Sequence, residues 1–320
     1  MFQPLVSFIV PIYNGASYIR SAVNKLLKQE YKNIEIILVN DGSRDNSLKL
    51  CKEQATLHPE VRVIDKQNSG IGGSRNAGLR AANGDYIAFM DQDDCIKTNM
   101  LASVMPIILE EKLDVIFFKY SKVFPKKEIE GYKMFPQRGT PSDDRLMIDY
   151  FSDHFFGFVW CSVYKKSFLR NNNIFFNEEY HVIDDIDFMY SVLSHHPKVF
   201  FYPQTFYRWT QRPDSESHQN FIQPAQDIMP FLDRILENER GQGPYIKNII
   251  YGYCLEQYLQ YYKGLLKQHV RDELFEEIKA RAKKMAHNVR VRDLEIPVEK
   301  KIKILLFRIG LLGIIFQIKG

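Results

Sequence analysis

The stretch Tyr86-Ile87-Ala88-Phe89-Met90-Asp91-Gln92-Asp93-Asp94 is the segment around which the chain is organised. Its first five residues are mostly apolar and predict a buried strand, which runs directly into three carboxylates. Carboxylates at this spacing repel one another unless a cation or a donor-rich ligand lies between them. Mg²⁺ and Mn²⁺ prefer oxygen ligands and share their shell with substrate phosphates, so one hypothesis is a metal–diphosphate site at the end of this strand. The alternative is a solvated acidic turn that caps the next helix through Asp94 or Thr98.

Strand and helix patterns alternate around this stretch over residues 5–120. Continuous apolar runs predict buried strands, and apolar stripes with a period near 3.6 predict helices between them. The alternation predicts an α/β fold, with a mostly parallel, Rossmann-like sheet flanked by helices. The predicted strands cover residues 5–10, 34–39, 61–64, 86–90 and 115–118, and the predicted helices begin near residues 18, 47, 73 and 101.

Four polar segments follow the first four predicted strands, at residues 11–15, 40–43, 67–76 and 91–94. In such sheets ligands bind beyond the carboxyl ends of the strands, so we expect these segments to form one pocket. Residues 40–43 are also good turn chemistry without any ligand. Residues 70–73 are glycine-rich, but Arg75 stands where a dinucleotide loop would need its last glycine, which argues against an NAD site.

Length and composition exclude several classes of protein. The 320 residues suit one large domain or two small ones, and the formal net charge of +4 gives little support to nucleic-acid binding. The four cysteines are far apart, which argues against a zinc site and fits a reducing compartment. The start of the chain lacks the pattern of a signal peptide, and no uncharged apolar run has the length of a spanning helix. We therefore expect a cytoplasmic protein.

Five short motifs occur in register and together resemble the bacterial family 2 glycosyltransferases of the inverting type, which have the GT-A fold. They are Val10-Pro11-Ile12-Tyr13-Asn14, Val39-Asn40-Asp41-Gly42-Ser43, Ser74-Arg75-Asn76-Ala77-Gly78-Leu79, Gly84-Asp85-Tyr86-Ile87 and Asp91-Gln92-Asp93-Asp94. The resemblance is strong over residues 5–120, fair to about residue 215 and weak beyond. It implies transfer of a sugar from a nucleotide donor, usually a UDP-sugar, with inversion at the anomeric carbon.

The resemblance also implies a role for each matched residue. Pro11, Tyr13 and Asp41 match positions that hold the base and ribose, and Arg75 matches an arginine beside the base. In the Asp-x-Asp (DXD) motif, Asp91 lies near the ribose and Asp93 is the ligand of a divalent metal, Mn²⁺ or Mg²⁺.

A second acidic motif, Asp184-Asp185-Ile186-Asp187-Phe188, places Asp185 at the family's catalytic-base position, with Asp184 where Glu is usual. Capping of a helix start explains one or two of these carboxylates without any catalytic role. Downstream, Arg208 and Arg212 resemble a motif that contacts the diphosphate or the acceptor, and Asp184 is a third candidate for such a contact.

The sequence beyond residue 220 is helical in pattern, so we predict a catalytic region at 1–220 and a helical C-terminal extension at 221–320. Residues 121–145 are polar and predict an insertion or flexible loop. Residues 300–319 mix lysines with many apolar residues, which fits a basic amphipathic helix in an anionic membrane surface. The alternative is a terminal helix that packs on the core or on a partner in a homodimer.

The predicted function is therefore an inverting transfer of a hexosyl or N-acetylhexosaminyl group to a saccharide or lipid-linked saccharide. The family suggests the biosynthesis of capsule, exopolysaccharide or lipopolysaccharide, at the inner face of the cell membrane. One alternative is a sugar-1-phosphate nucleotidyltransferase, but that enzyme needs a basic glycine-rich loop, and residues 14–17 hold no Lys or Arg. Another alternative is a non-catalytic nucleotide-binding scaffold.

Overall fold

The computed structural model describes residues 3–131, 143–152, 158–180, 182–211, 222–239 and 242–310. These residues separate into two compact units. The first is formed within 1–141 and 157–215, and the second within 142–156 and 216–320.

The first unit is built on one nine-stranded sheet. Its strands are β1 (Val6–Ile12), β2 (Ile34–Asp41), β3 (Val61–Lys66), β4 (Tyr86–Phe89), β5 (Cys95–Ile96), β6 (Val115–Phe124), β7 (Lys127–Glu130), β8 (Ser162–Lys165) and β9 (Val199–Thr210). The order across the sheet is β3-β2-β1-β4-β8-β6-β9-β5, and β7 pairs with β6. Pairing is parallel from β3 to β4 and between β6 and β9, whereas β8, β5 and β7 are antiparallel to their neighbours. This mixed, mostly parallel sheet with flanking helices confirms the predicted fold class.

The helices of this unit are α1 (Ile19–Leu27), α2 (Ser47–Leu57), α3 (Gly70–Ala81), α4 (Met100–Glu111), α6 (Lys166–Asn171) and α7 (Asp184–Leu193). Helix α3 packs so closely on β1 that a Cβ at Gly78 would lie 2.4 Å from Cγ2 of Ile9. All eight residues of β2 are buried, as expected for a central strand covered on both faces. In the register of the sheet Ile12 pairs with Asn40, and Asp41 pairs with Lys66. The carboxyl ends of these strands therefore meet at one edge.

The second unit is helical over its described residues, and helices follow residue 220 as predicted; the unit also contains residues 142–156, which the prediction assigned to the catalytic region at 1–220. It consists of α5 (Asp143–Phe151), α8 (Ile222–Asn238), α9 (Pro244–Lys267), α10 (Glu273–Asn288) and α11 (Val298–Arg308). Among the residues described, none of the helices has both the length and the apolar character needed to cross a bilayer.

The sequence misled the prediction at two places in the fold. The insertion or loop predicted from residue 121 is wrong up to residue 130, because β6 continues to Phe124 and turns into β7. Glu128 of β7 accepts a hydrogen bond from the Ser121 hydroxyl and pairs with Arg208, so polar cross-strand contacts replace the apolar pattern on which strand prediction depends. Likewise, the apolar and aromatic residues at 199–202 and 207–209 have the sequence pattern of two short strands, but they belong to one strand, β9, with a register shift opposite Lys119.

Candidate active site

The four polar segments predicted to form a pocket are joined to one another by hydrogen bonds. After β1, the Asn14 N–H donates to Oγ of Ser43 in the segment after β2 (3.1 Å). The Gln92 side chain reaches across to Tyr13, accepting from its N–H (3.2 Å) and donating to its carbonyl (3.1 Å). Tyr13 itself is 41% exposed. The structure thus brings the segments after β1, β2 and β4 together at the carboxyl edge of the sheet.

Asp41 closes the end of β2 against the segment after β3. Its carboxylate is buried and accepts from Nζ of Lys66 (2.6 Å) and from the N–H of Ser69 (3.0 Å). Gly42 turns the chain away with φ +66°, and a Cβ there would lie 2.9 Å from the backbone nitrogen of Asn68. Pro11 lies inside β1, opposite Val39 of β2, and is partly exposed.

Arg75 of α3 joins the two acidic motifs. Its Nη1 donates to Oδ2 of Asp184 (2.8 Å) and its Nη2 to Oδ1 of Asp91 (3.2 Å), while the guanidinium lies over the ring of Phe176 (5.3 Å). Burial would lower the pKa of Arg75, but the carboxylates of Asp184 and Asp91 outweigh it and hold the pKa above its ordinary value. Arg75 therefore stays charged and brings together two carboxylates that lie 93 positions apart in the chain.

The acidic segment 91–94 is bound to β9 and does not cap a helix. Helix α4 has Asn99 as its N-cap, with no side-chain capping bond. Asp94 instead accepts from the Tyr207 hydroxyl (2.7 Å) and from the Thr210 N–H (2.8 Å). The Tyr207 oxygen in turn accepts from the N–H of Asp91 (3.1 Å), and the Thr210 hydroxyl donates to the carbonyl of Asp93 (3.0 Å).

Burial, and then the charges of Asp91 and Asp93, raise the pKa of Asp94 to about 8. Crowding of negative charge at this segment is what the sequence predicted.

The second acidic motif forms the first turn of α7, where Asp184, Asp185 and Asp187 follow the N-cap residue Ile183. The N-cap residue makes no side-chain capping hydrogen bond. Asp184 is 4% exposed, and burial raises its pKa although Arg75 opposes the shift. Asp185 keeps partial exposure, and burial together with the charge of Asp184 raises its pKa to about 7 against the opposing effect of Arg75.

Arg208 and Arg212 were suggested as contacts of the diphosphate or the acceptor, and the structure describes only the first of them. Arg208 forms a two-pronged ion pair with Glu128 of β7, with Nη2 2.8 Å from Oε2. Arg212 lies outside the residues that the structure describes.

Sequence reasoning named Tyr207 only as the neighbour of Arg208 in a motif that contacts the diphosphate or the acceptor, and it missed Lys66 as a part of this edge. The indole of Trp160 stacks on the Tyr207 ring, with centroids 4.1 Å apart. Tyr207 resembles any apolar strand residue, and the only signal in the sequence is that it precedes Arg208 by one position. Lys66 ends β3 opposite Asp41, which ends β2, so the register of the parallel strands could have indicated the pair.

For a divalent metal, the described residues contain no group of three or more His, Cys, Asp or Glu side chains arranged to hold an ion. This arrangement still fits Mg²⁺ or Mn²⁺, which are bound through one or two carboxylates together with substrate phosphates. The raised pKa of Asp94 marks the same segment as one where added positive charge would be favourable.

The chain belongs to glycosyl transferase family 2, whose model matches residues 7–172. Two bacterial relatives carry the name glycosyltransferase. EpsJ of Bacillus subtilis is 29% identical over 70% of this chain and 66% of its own length, and YibD of Escherichia coli is 32% identical over 59% and 57%. The chain thus spans less than two thirds of the length of either relative.

Solved structures agree on the fold, which is GT-A. Residues 1–349 of Staphylococcus aureus TarS, in complex with UDP-GlcNAc, match with a TM-score of 0.75 at 19% identity, covering 97% of this chain and 88% of the other. The mannosyltransferase PcManGT of Pyrobaculum calidifontis, in complex with GDP-Man and Mn²⁺, matches with a TM-score of 0.57 at 15% identity, over 98% and 85%.

Proposed function

We propose that this protein transfers a sugar from a nucleotide-sugar donor to a saccharide hydroxyl, with inversion at the anomeric carbon. One observation carries the proposal: the buried Arg75 bonds both Asp91 and Asp184, and so sets the donor-side carboxylates beside Asp185. Nucleotide binding alone does not require the desolvated carboxyl group of Asp185 beside these carboxylates, so its presence favours an enzyme over a scaffold.

UDP-sugar is the donor class that we propose, with residues 1–220 as the catalytic region. The structure of TarS in complex with UDP-GlcNAc, whose fold this chain shares, supports this class of donor. Tyr13 offers an exposed ring for the base, while Pro11 and Asp41 line the same edge. Asp91 would face the ribose.

Asp93 is the proposed metal ligand. A bound Mn²⁺ or Mg²⁺ supplies Lewis-acid stabilisation of the charge that grows on the departing diphosphate. The Thr210 hydroxyl holds the Asp93 carbonyl and the Tyr207 hydroxyl holds the Asp91 N–H, which keeps the backbone of this segment in place.

Asp185 is the proposed general base. It would take the proton of the acceptor hydroxyl as that oxygen attacks the face of the sugar opposite the leaving group. A pKa of about 7 suits this task, because the group is substantially ionised near neutral pH and still basic enough to accept a proton. We propose that the acceptor is a saccharide of cell-surface polysaccharide, lipid-linked or free, and that Arg208 and Asp184 are candidates for its contacts.

A screen of UDP- and GDP-sugars with Mn²⁺ tests the proposal. Slow release of UDP from one donor is expected, and Asp185→Asn should reduce this turnover by roughly 10²–10⁴-fold while leaving UDP affinity, measured by calorimetry, nearly unchanged. Asp93→Ala should instead weaken UDP binding that depends on metal.

Release of pyrophosphate from a nucleoside triphosphate and a sugar 1-phosphate would identify a nucleotidyltransferase. UDP binding without turnover of any donor would favour the scaffold.

A further inference from the structure

Helix α11 in the second unit exposes apolar side chains in a regular row. Val298, Ile302, Leu305 and Ile309 recur at spacings of four, three and four residues, and they are 66%, 49%, 47% and 67% exposed. Residues at this spacing lie on one face of a helix. The opposite face is the packed one, where Ile304 and Phe307 are buried and the Phe307 ring meets Tyr262 of α9 edge-on at 5.8 Å. The exposed row, which we call the α11 stripe, is therefore not needed to hold α11 on its unit.

Positive charge is concentrated in the same part of the chain. Residues 279–308 contain ten Lys or Arg and three Asp or Glu, so they carry a formal charge of +7 in a protein whose total is +4. The remaining residues together are slightly acidic. Such an asymmetry is typical of a segment that contacts an anionic partner.

Two lysines flank the α11 stripe, and further cations lie toward the packed face of the helix. Lys301 and Lys303 are the immediate neighbours of Ile302 and project about 100° to either side of it around the helix. Lys303 also lines a cleft of about 200 Å³ between α9 and α11, together with Lys263 and Lys300. Lys300 pairs there with Glu256. Burial, and then the like charges of Lys267 and Lys303, lower the pKa of Lys263.

We propose that the α11 stripe and its flanking lysines form a docking surface for an anionic lipid bilayer. The apolar side chains of the stripe would enter the boundary between headgroups and acyl chains. The aliphatic part of each lysine side chain would extend along this boundary and bring its ammonium group to a lipid phosphate. A second copy of this chain is the weaker occupant, because joining two such faces would bring the lysines of both copies together. The proposal goes beyond sugar transfer and does not depend on it.

Flotation of the full chain with vesicles tests the docking surface. Binding to vesicles of phosphatidylcholine with 30% phosphatidylglycerol is expected, with much weaker binding to pure phosphatidylcholine and a marked loss between low and 500 mM NaCl. Ile302→Gln/Leu305→Gln should reduce binding to the anionic vesicles at least tenfold. Lys301→Gln/Lys303→Gln should reduce it and also flatten its dependence on salt.

Leu57→Gln/Ile129→Gln is the matched control, because it replaces two exposed apolar side chains of the first unit, and it should bind vesicles like the unaltered protein. Far-ultraviolet circular dichroism and thermal unfolding show that each variant is folded.

Equal binding of the Ile302/Leu305 variant and the control would overturn the proposal. So would a dimer, measured by light scattering, that Ile302→Gln/Leu305→Gln converts to a monomer while no form of the protein binds vesicles. Neither result would bear on donor turnover, so the two proposals fail separately.

Discussion

Replacing Arg75 with methionine should destabilise the first unit by an amount that depends on pH. The side chains of Arg75 and Asp184 are 4% and 6% exposed, so the substitution leaves a buried carboxylate without its cation, which costs about 3–5 kcal/mol. Asp91 is 29% exposed, and its weaker, better hydrated pair adds less than about 1 kcal/mol.

The pH dependence follows from the protonation of Asp184. Its pKa is already raised by burial, and removing Arg75 takes away the charge that opposes this shift. A carboxyl group whose pKa in the folded state exceeds its value in the unfolded state loses stability as pH rises between the two values. The penalty of Arg75→Met should therefore be small near pH 5, where the buried group can be protonated, and large at pH 8, with a slope of up to about 1.4 kcal/mol per pH unit.

Urea unfolding followed by tryptophan fluorescence measures this effect, since both tryptophans, Trp160 and Trp209, belong to the first unit. Arg80→Met is the matched control, because Arg80 lies on the same helix and its side chain is 60% exposed. Among the ion pairs described it pairs only with the half-exposed Glu178, so this substitution should cost less than about 0.5 kcal/mol. Arg75→Met/Asp184→Asn should recover most of the lost stability at pH 8. An Arg75→Met penalty equal to that of the control, or identical at pH 5 and pH 8, would refute the reasoning.

Two further predictions concern the carboxylates of the site. The transfer rate should rise about tenfold per pH unit at low pH and level off above a midpoint near 7, where Asp185 loses its proton. A transfer rate that does not change between pH 5 and pH 8 would exclude Asp185 as the base. Tyr207→Phe leaves Asp94 with one buried donor fewer, so it should cost about 1–3 kcal/mol in urea unfolding and raise the Mn²⁺ concentration needed for UDP binding. Tyr202→Phe on the same strand should do neither, and equal effects of the two substitutions would contradict the role given to the Tyr207 hydroxyl.

The parts of the fold that follow from local pattern could be predicted from the sequence. The apolar runs of β1 and β2 and the stripe of α1 follow directly from burial on both faces or on one face. The parallel order then brings the segments after β1 and β2 to one edge without further information. Strand β7, all of whose residues are exposed, carries no such pattern, which explains why a loop was predicted there.

Contacts between distant residues of the site were beyond prediction from pattern. Arg75 and Asp184 were each named, but their ion pair joins elements 109 positions apart, and nothing in either motif points to the other. The same holds for Tyr207 and Asp94, which are 113 positions apart. The assignments of Asp185 as base and Asp93 as metal ligand stay predictions.

Gln92, the middle residue of the Asp-Gln-Asp motif, connects two loops of the site. Its amide engages the N–H and the carbonyl of Tyr13 at once, as a neighbouring strand would, and a Cβ at Gly15 would lie only 1.9 Å from its oxygen. These two hydrogen bonds hold the loop of Tyr13 against the loop that carries the acidic residues. A residue that looks like a spacer between two aspartates thus couples the position of Tyr13 to that of the acidic segment 91–94. A side chain with only one polar function would keep at most one of the two hydrogen bonds, so the two loops would be free to move separately.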